Sequence, residues 1–148
     1  MPGILVGVDG SHHSGRALAW AIREAAQRDV PLTVMTVHPA QVRPATQVLW
    51  NVPELPEDIR GEEGLARTAV SQFVEKVASE IGEKVPDVTV NAVIGDPAEE
   101  LIKASRDADL IVVGSRGGGG FSTLLMGSVS SKVVHHAACP VVVVPENR

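Results

Sequence analysis

Aromatic residues make up only 3% of this 148-residue chain, and tyrosine is absent. So sparse a set argues against a stacking platform for single-stranded nucleic acid. Basic runs are missing too. Lys and Arg number 13 against 18 Asp and Glu, a formal net charge of −5. An acidic chain without a basic patch repels phosphate backbones, so DNA and RNA are not expected as partners. The one cysteine, Cys139, excludes an intramolecular disulfide and suits a reducing, cytoplasmic setting. No apolar run approaches the length of a membrane span. Nothing basic precedes the apolar residues Ile4 to Val6, so neither a membrane anchor nor a signal peptide is expected.

What is present is an ordinary globular composition, 44% hydrophobic and 21% charged. The length suits a single domain over residues 1–148 with its own core. Ile4 to Val8 is a short apolar run between glycines and reads as a buried strand. Ser11 or Ser14 can cap the helix that follows, whose apolar face is Ala17, Leu18, Ala21, Ile22 and Ala25. Leu32 to Val37 is a second strand. Pro39 to Gly61 holds four prolines and no clear period, and reads as a long functional or mobile loop. A helix then carries Ala66, Val70, Phe73, Val74, Val77 and Ile81 on one face. Val88 to Ile94 is the third strand. Asp96-Pro97-Ala98-Glu99 is a helix start: a capping carboxylate, a proline at the first helical position and a glutamate that completes a capping box. Leu110 to Val113 and Val141 to Val144 are the last two strands.

Strands apolar on both sides that alternate with amphipathic helices imply a parallel sheet covered on both faces. The fold class expected is α/β: a doubly wound, Rossmann-like, five-stranded parallel sheet. Such sheets bind ligands at the carboxyl ends of their strands, where the strand order reverses. With the first and fourth strands side by side at the centre, Asp9 and Gly114 face one crevice.

The fourth strand runs into Gly114-Ser-Arg-Gly-Gly-Gly-Gly120, and Gly127-Ser-Val-Ser-Ser131 then opens a helix. The spacing is G-x2-G-x9-G-S over Gly114, Gly117, Gly127 and Ser128. Glycines at the first two positions let the chain turn sharply and bring its amides close to a ligand. A helix start adds free N–H groups, and Ser128 and Ser130 add hydroxyls. Together they form a phosphate cradle built without lysine. A P-loop is absent, and Asp9-Gly10-Ser11-His12-His13 is no dinucleotide fingerprint.

The segment GSRGGGGFSTLLMGSVSSKVVHHAACPVVVVP and the opening ILVGVDGSHHSGRAL resemble the universal stress protein family, in its ATP-binding branch. The resemblance implies an adenine nucleotide alpha hydrolase-like fold that binds ATP as a regulatory module in stress response. It places Asp9 near the ribose or adenine, where the same carboxylate also suits the Asp9-Gly10-Ser11 turn. Val37 would flank adenine, or simply pack the core. Gly114 and Gly117 would approach ribose and phosphates, and Gly127, Ser128, Val129 and Ser130 would wrap the phosphates. Mg²⁺ can accompany the nucleotide in the family. The alternatives are slow ATP hydrolysis or self-phosphorylation, and binding of cyclic AMP or AMP. No base for hydrolysis stands out, so binding is favoured over turnover.

Arg116 either balances phosphate charge or is a solvated loop residue. His12 and His13, near the phosphate mouth, either donate to phosphate or form an exposed turn, and the turn is favoured. His135-His136 lacks the partners of a zinc site. Cys139 enters a strand and reads as an inert core thiol. Trp50, with Val48 and Leu49, suits either a lid or a subunit contact. Val141 to Val144 would lie at a sheet edge and invite pairing; the resemblance likewise implies a homodimer joined through this strand.

Overall fold

The computed structural model describes residues 3–9, 12–38, 61–84, 87–115 and 127–145. Strands β1 (Ile4–Gly7), β2 (Leu32–His38), β3 (Val88–Ile94), β4 (Leu110–Gly114) and β5 (Val141–Val144) alternate with helices α1 (His12–Arg28), α2 (Gly61–Ile81), α3 (Pro97–Ser105) and α4 (Ser128–His136). The expected loop from Pro39 onward, Trp50 included, lies outside the described residues, and Gly61 itself already opens α2.

All strand pairs are parallel and the order is β3-β2-β1-β4-β5. The register Leu5↔Thr33 on one side of β1 and Leu5↔Ile111 on the other fixes β1 at the point where the order reverses. The expected adjacency of first and fourth strands is therefore present, and β5 is an edge strand.

Side-chain alternation sorts the sheet into two cores. Ile4, Val6, Leu32, Val34, Leu110 and Val112 point to one face, where α1 and α2 cover them. The five α1 residues assigned inward by their spacing are all 0% exposed. Burying Leu18 and Ile22 is worth roughly 2 kcal/mol each, so this stripe fixes the helix on the sheet. On α2 the expected face is buried or half-buried, and Ala78 joins it. Leu5, Met35, Leu101, Ile111, Val113 and Val133 form the core on the other face, under α3 and α4.

Two helices stop in the same way. At α2, Gly82 takes φ 69°, its N–H donates to Ser79 O, and the Glu83 N–H reaches Ala78 O. At α1, Asp29 takes φ 55°, its N–H donates to Ala26 O, and the Val30 N–H reaches Ala25 O. Both are left-handed stops in which two bonds run back onto the last turn, a geometry that favours glycine. Only the first uses one.

Candidate functional site

Two of the helix starts at the carboxyl edge of the sheet are of opposite character. At α3, Asp96 is the N-cap and its Oδ2 accepts the Glu99 N–H at 3.0 Å; Pro97 occupies the first helical position. The Asp96 half of the expected capping box is thus formed. At α4 the N-cap is Gly127, φ −73° and ψ 170°, with no side-chain cap. The first intrahelical bond runs from Ser131 N–H to Gly127 O at 3.0 Å. The amides of Ser128, Val129 and Ser130 therefore lie ahead of any intrahelical acceptor. One helix start closes itself with its own carboxylate; at the other, no side-chain cap among the described residues meets the first amides, which lie at the positive end of the helix dipole.

The α4 start is stapled to the end of β4. The Gly127 N–H donates to Ser115 O at 2.6 Å, and the Ser115 N–H donates to Val144 O at 2.9 Å. Ser130 is 4% exposed, and its hydroxyl donates to Gly114 O at 2.5 Å. Gly127 is thus bonded back to the residue that follows β4. Arg116 and Gly117 lie outside the described residues.

The serines expected to act alike have different surroundings. Ser128 is exposed, whereas Ser130 is buried with its proton committed to the Gly114 carbonyl. Val129 between them is half-buried and packs on the core beneath α3 and α4. Sequence reasoning missed Ser115, which is 8% exposed and anchors both β5 and α4 through its backbone. It sits at a variable position of the motif, so spacing gave no signal for it.

Asp9 lies one strand over from Gly114, exposed, at the end of β1, and its amide donates to Ser14 Oγ at 3.3 Å. Ser14 lies inside α1 and is 5% exposed. It acts as a brace for the Asp9 backbone rather than as an N-cap. Val37 stands near the end of β2, half-buried, on the face that α3 and α4 cover. Asp9, Val37, Gly114, Gly127, Ser128, Val129 and Ser130 thus all lie at or next to carboxyl ends of the three central strands.

His12 and His13 open α1 rather than a turn, and their side chains lie outside the described residues. His135 and His136 are exposed with ring centroids 6.3 Å apart, and His135 Nδ1 lies 2.7 Å from Ser131 O. Among the described residues no three His, Cys, Asp or Glu side chains are grouped to hold a metal ion. Cys139 is half-buried; burial pushes its thiol pKa up, Asp109 adds to that, and a hydrogen bond with the Ile111 backbone opposes it. No helix among the described residues is long and apolar enough to cross a membrane.

Residues 2–145 match the universal stress protein family model. The chain belongs to this family. A universal stress protein of Mycolicibacterium smegmatis is 41% identical over 145 residues, which is 96% of this chain and 47% of that protein. The chain spans about half the length of the curated relatives it matches. Among solved structures, the universal stress protein UspA from Lactobacillus plantarum superposes with a TM-score of 0.75 at 28% identity, covering 97% of each chain. A universal stress protein crystallised in complex with cAMP superposes at 0.64 with 26% identity, covering 97% of this chain and 95% of that one.

Proposed function

We propose that this universal stress protein binds an adenine nucleotide, with ATP as the ligand, and works as a nucleotide-dependent regulatory module. The observation that carries the reading is the uncapped start of α4, pinned by Gly127 and Ser130 to the end of β4 where the strand order reverses. Bare amides at a helix start are anion donors. Gly114, Arg116, Gly117, Gly127, Ser128, Val129 and Ser130 would hold the phosphates, while Asp9 and Val37 at the ends of β1 and β2 would meet ribose and base. The related protein solved with cAMP supports adenine recognition on this fold. It also keeps cyclic AMP as the second reading.

A Mg²⁺ ion would ride on the phosphate oxygens, since the described residues offer no protein cluster for it. Binding is favoured over turnover because no base for hydrolysis stands out in the sequence. The single domain would work in the cytoplasm as a homodimer, with the edge strand β5 as the joint. A protein that sediments as a monomer at every concentration would remove that joint.

Thermal-shift and calorimetric titration with ATP, ADP, AMP and cyclic AMP tests the whole reading. A ligand that binds only the folded state adds about 2.7 kcal/mol at a hundredfold excess over its dissociation constant. ATP is expected to give the largest shift. A flat response to every adenylate would end the proposal.

A further inference from the structure

The one buried side-chain nitrogen or oxygen without a hydrogen-bond partner among the described residues is Nε2 of His38. An unpaired polar atom shut away from water is costly, and native structures keep few of them. Each one calls for an explanation, and exchange of local stability for function is one such explanation.

His38 is the last residue of β2, directly after Val37. Its backbone is held firmly: the carbonyl accepts the Gly95 N–H at 2.8 Å, and the residue pairs in register with Ile94. Strand alternation sets the two neighbours on opposite faces. Val37 packs on the side of α3 and α4, whereas His38 follows Leu32, Val34 and Thr36 toward α1 and α2. The strand end therefore has an apolar flank and an imidazole flank. A flat group lying across it, apolar on its face and hydrogen-bonding at its rim, would satisfy both. A purine base has that chemistry; a phosphate does not.

We propose that His38 is a specificity-determining residue of the nucleotide site, its Nε2 making a hydrogen bond to the polar rim of the base. This rests on the nucleotide reading above. Neutral imidazole can donate or accept according to tautomer, so one nitrogen can serve either kind of rim atom. Ser128 and the α4 amides would hold the phosphate end, and His38 would read the other.

The test is His38→Phe, which keeps a ring and removes both nitrogens, with His38→Leu as a smaller variant should Phe crowd the site. Affinities for ATP, adenosine and inorganic tripolyphosphate are measured by calorimetry on the full chain, alongside melting without ligand. The expected result is a pair of opposite changes. The ligand-free protein melts higher, because the stranded nitrogen is gone, while ATP and adenosine bind about tenfold more weakly, equivalent to about 1.4 kcal/mol. Tripolyphosphate binding stays unchanged, and His38→Gln recovers part of the adenosine affinity. Unchanged adenosine and ATP affinity in both variants would overturn the assignment of His38 and leave the nucleotide reading standing. An equal loss for tripolyphosphate would overturn it too, by showing that the fold had moved. Wild-type protein that binds no adenylate at all would sink the nucleotide reading itself.

Discussion

Ser130→Ala separates the architecture of the site from its chemistry. The Ser130 hydroxyl is buried and donates to the Gly114 carbonyl at 2.5 Å across 16 residues of chain. Alanine removes that bond and leaves the carbonyl partly stranded at the mouth of the site. A lost buried hydrogen bond of this kind costs about 1.5 kcal/mol. Unfolding entropy near 2.1 cal/mol/K per residue gives about 0.31 kcal/mol/K for 148 residues, so the melting temperature should fall by roughly 5 °C. The amides of Ser128, Val129 and residue 130 all survive the change, so nucleotide affinity should shift less than about fivefold, under roughly 1 kcal/mol. Ser128→Ala supplies the contrast. Its hydroxyl is exposed, so stability should change by no more than about 0.5 kcal/mol. A hydrogen bond to a charged phosphate is worth about 1.5–3 kcal/mol, so affinity should drop roughly tenfold or more. Differential scanning calorimetry and isothermal titration on the two variants read both quantities. Equal melting temperatures for Ser130→Ala and wild type would refute the structural role given to that hydroxyl. The reverse pattern, with Ser128 carrying stability and Ser130 affinity, would refute the partition as a whole.

Gly127→Asp should close the α4 start as Asp96 closes α3. The backbone at Gly127 has negative φ and accepts any residue, so ligand-free stability should hold or rise by a few tenths of a kcal/mol; nucleotide affinity should fall at least tenfold by titration, and undiminished binding would show that these amides are not the anion donors. Asp29→Gly should stabilise the protein by about 1 kcal/mol, because an L-residue at φ 55° carries a penalty of that order and a carboxylate opposes the negative end of α1. Urea denaturation with an unchanged or lower midpoint would contradict this. Cys139, its thiol held protonated chiefly by burial, should alkylate with iodoacetamide more slowly than the unfolded chain at pH 8. The folded value is raised, so its contribution to stability is complete below the ordinary thiol pKa of about 8.5 and is lost as pH climbs through the raised value. Identical alkylation rates in the folded and unfolded chain would dismiss the shift.

The sheet could be read from the chain because its signals are local. Five short apolar runs, each bounded by glycine, proline or a capping residue, give the strands, and α1 shows its inner face through a spacing that burial reproduces residue by residue. Parallel pairing and right-handed crossovers then leave few arrangements, and the adjacency of β1 and β4 is among them. Ends were harder. Ser14 is a sound N-cap by type, yet it lies within α1 and braces the Asp9 amide; the choice between capping and bracing depends on where β1 ends relative to α1, which spacing does not encode.

The same limit governs the site. The pattern G-x2-G-x9-G-S announces bare amides because glycine and a helix start act through the backbone, whose chemistry is the same in any sequence. Hydroxyls differ: Ser128 and Ser130 are two residues apart on a helix and so point in directions about 200° apart. One of them must therefore turn away from whatever the other meets, and tertiary packing decides which. In this fold the Gly114 carbonyl, reaching the end of β4 without a side chain of its own, selects Ser130. The run Gly127-Ser-Val-Ser130 thus joins two unlike roles, and the G-x2-G-x9-G-S spacing marks only the first serine. On the nucleotide reading, Ser128 meets the anion while Ser130 fastens the same turn of α4 to the end of β4, so loss of the second hydroxyl weakens the fold before it weakens binding.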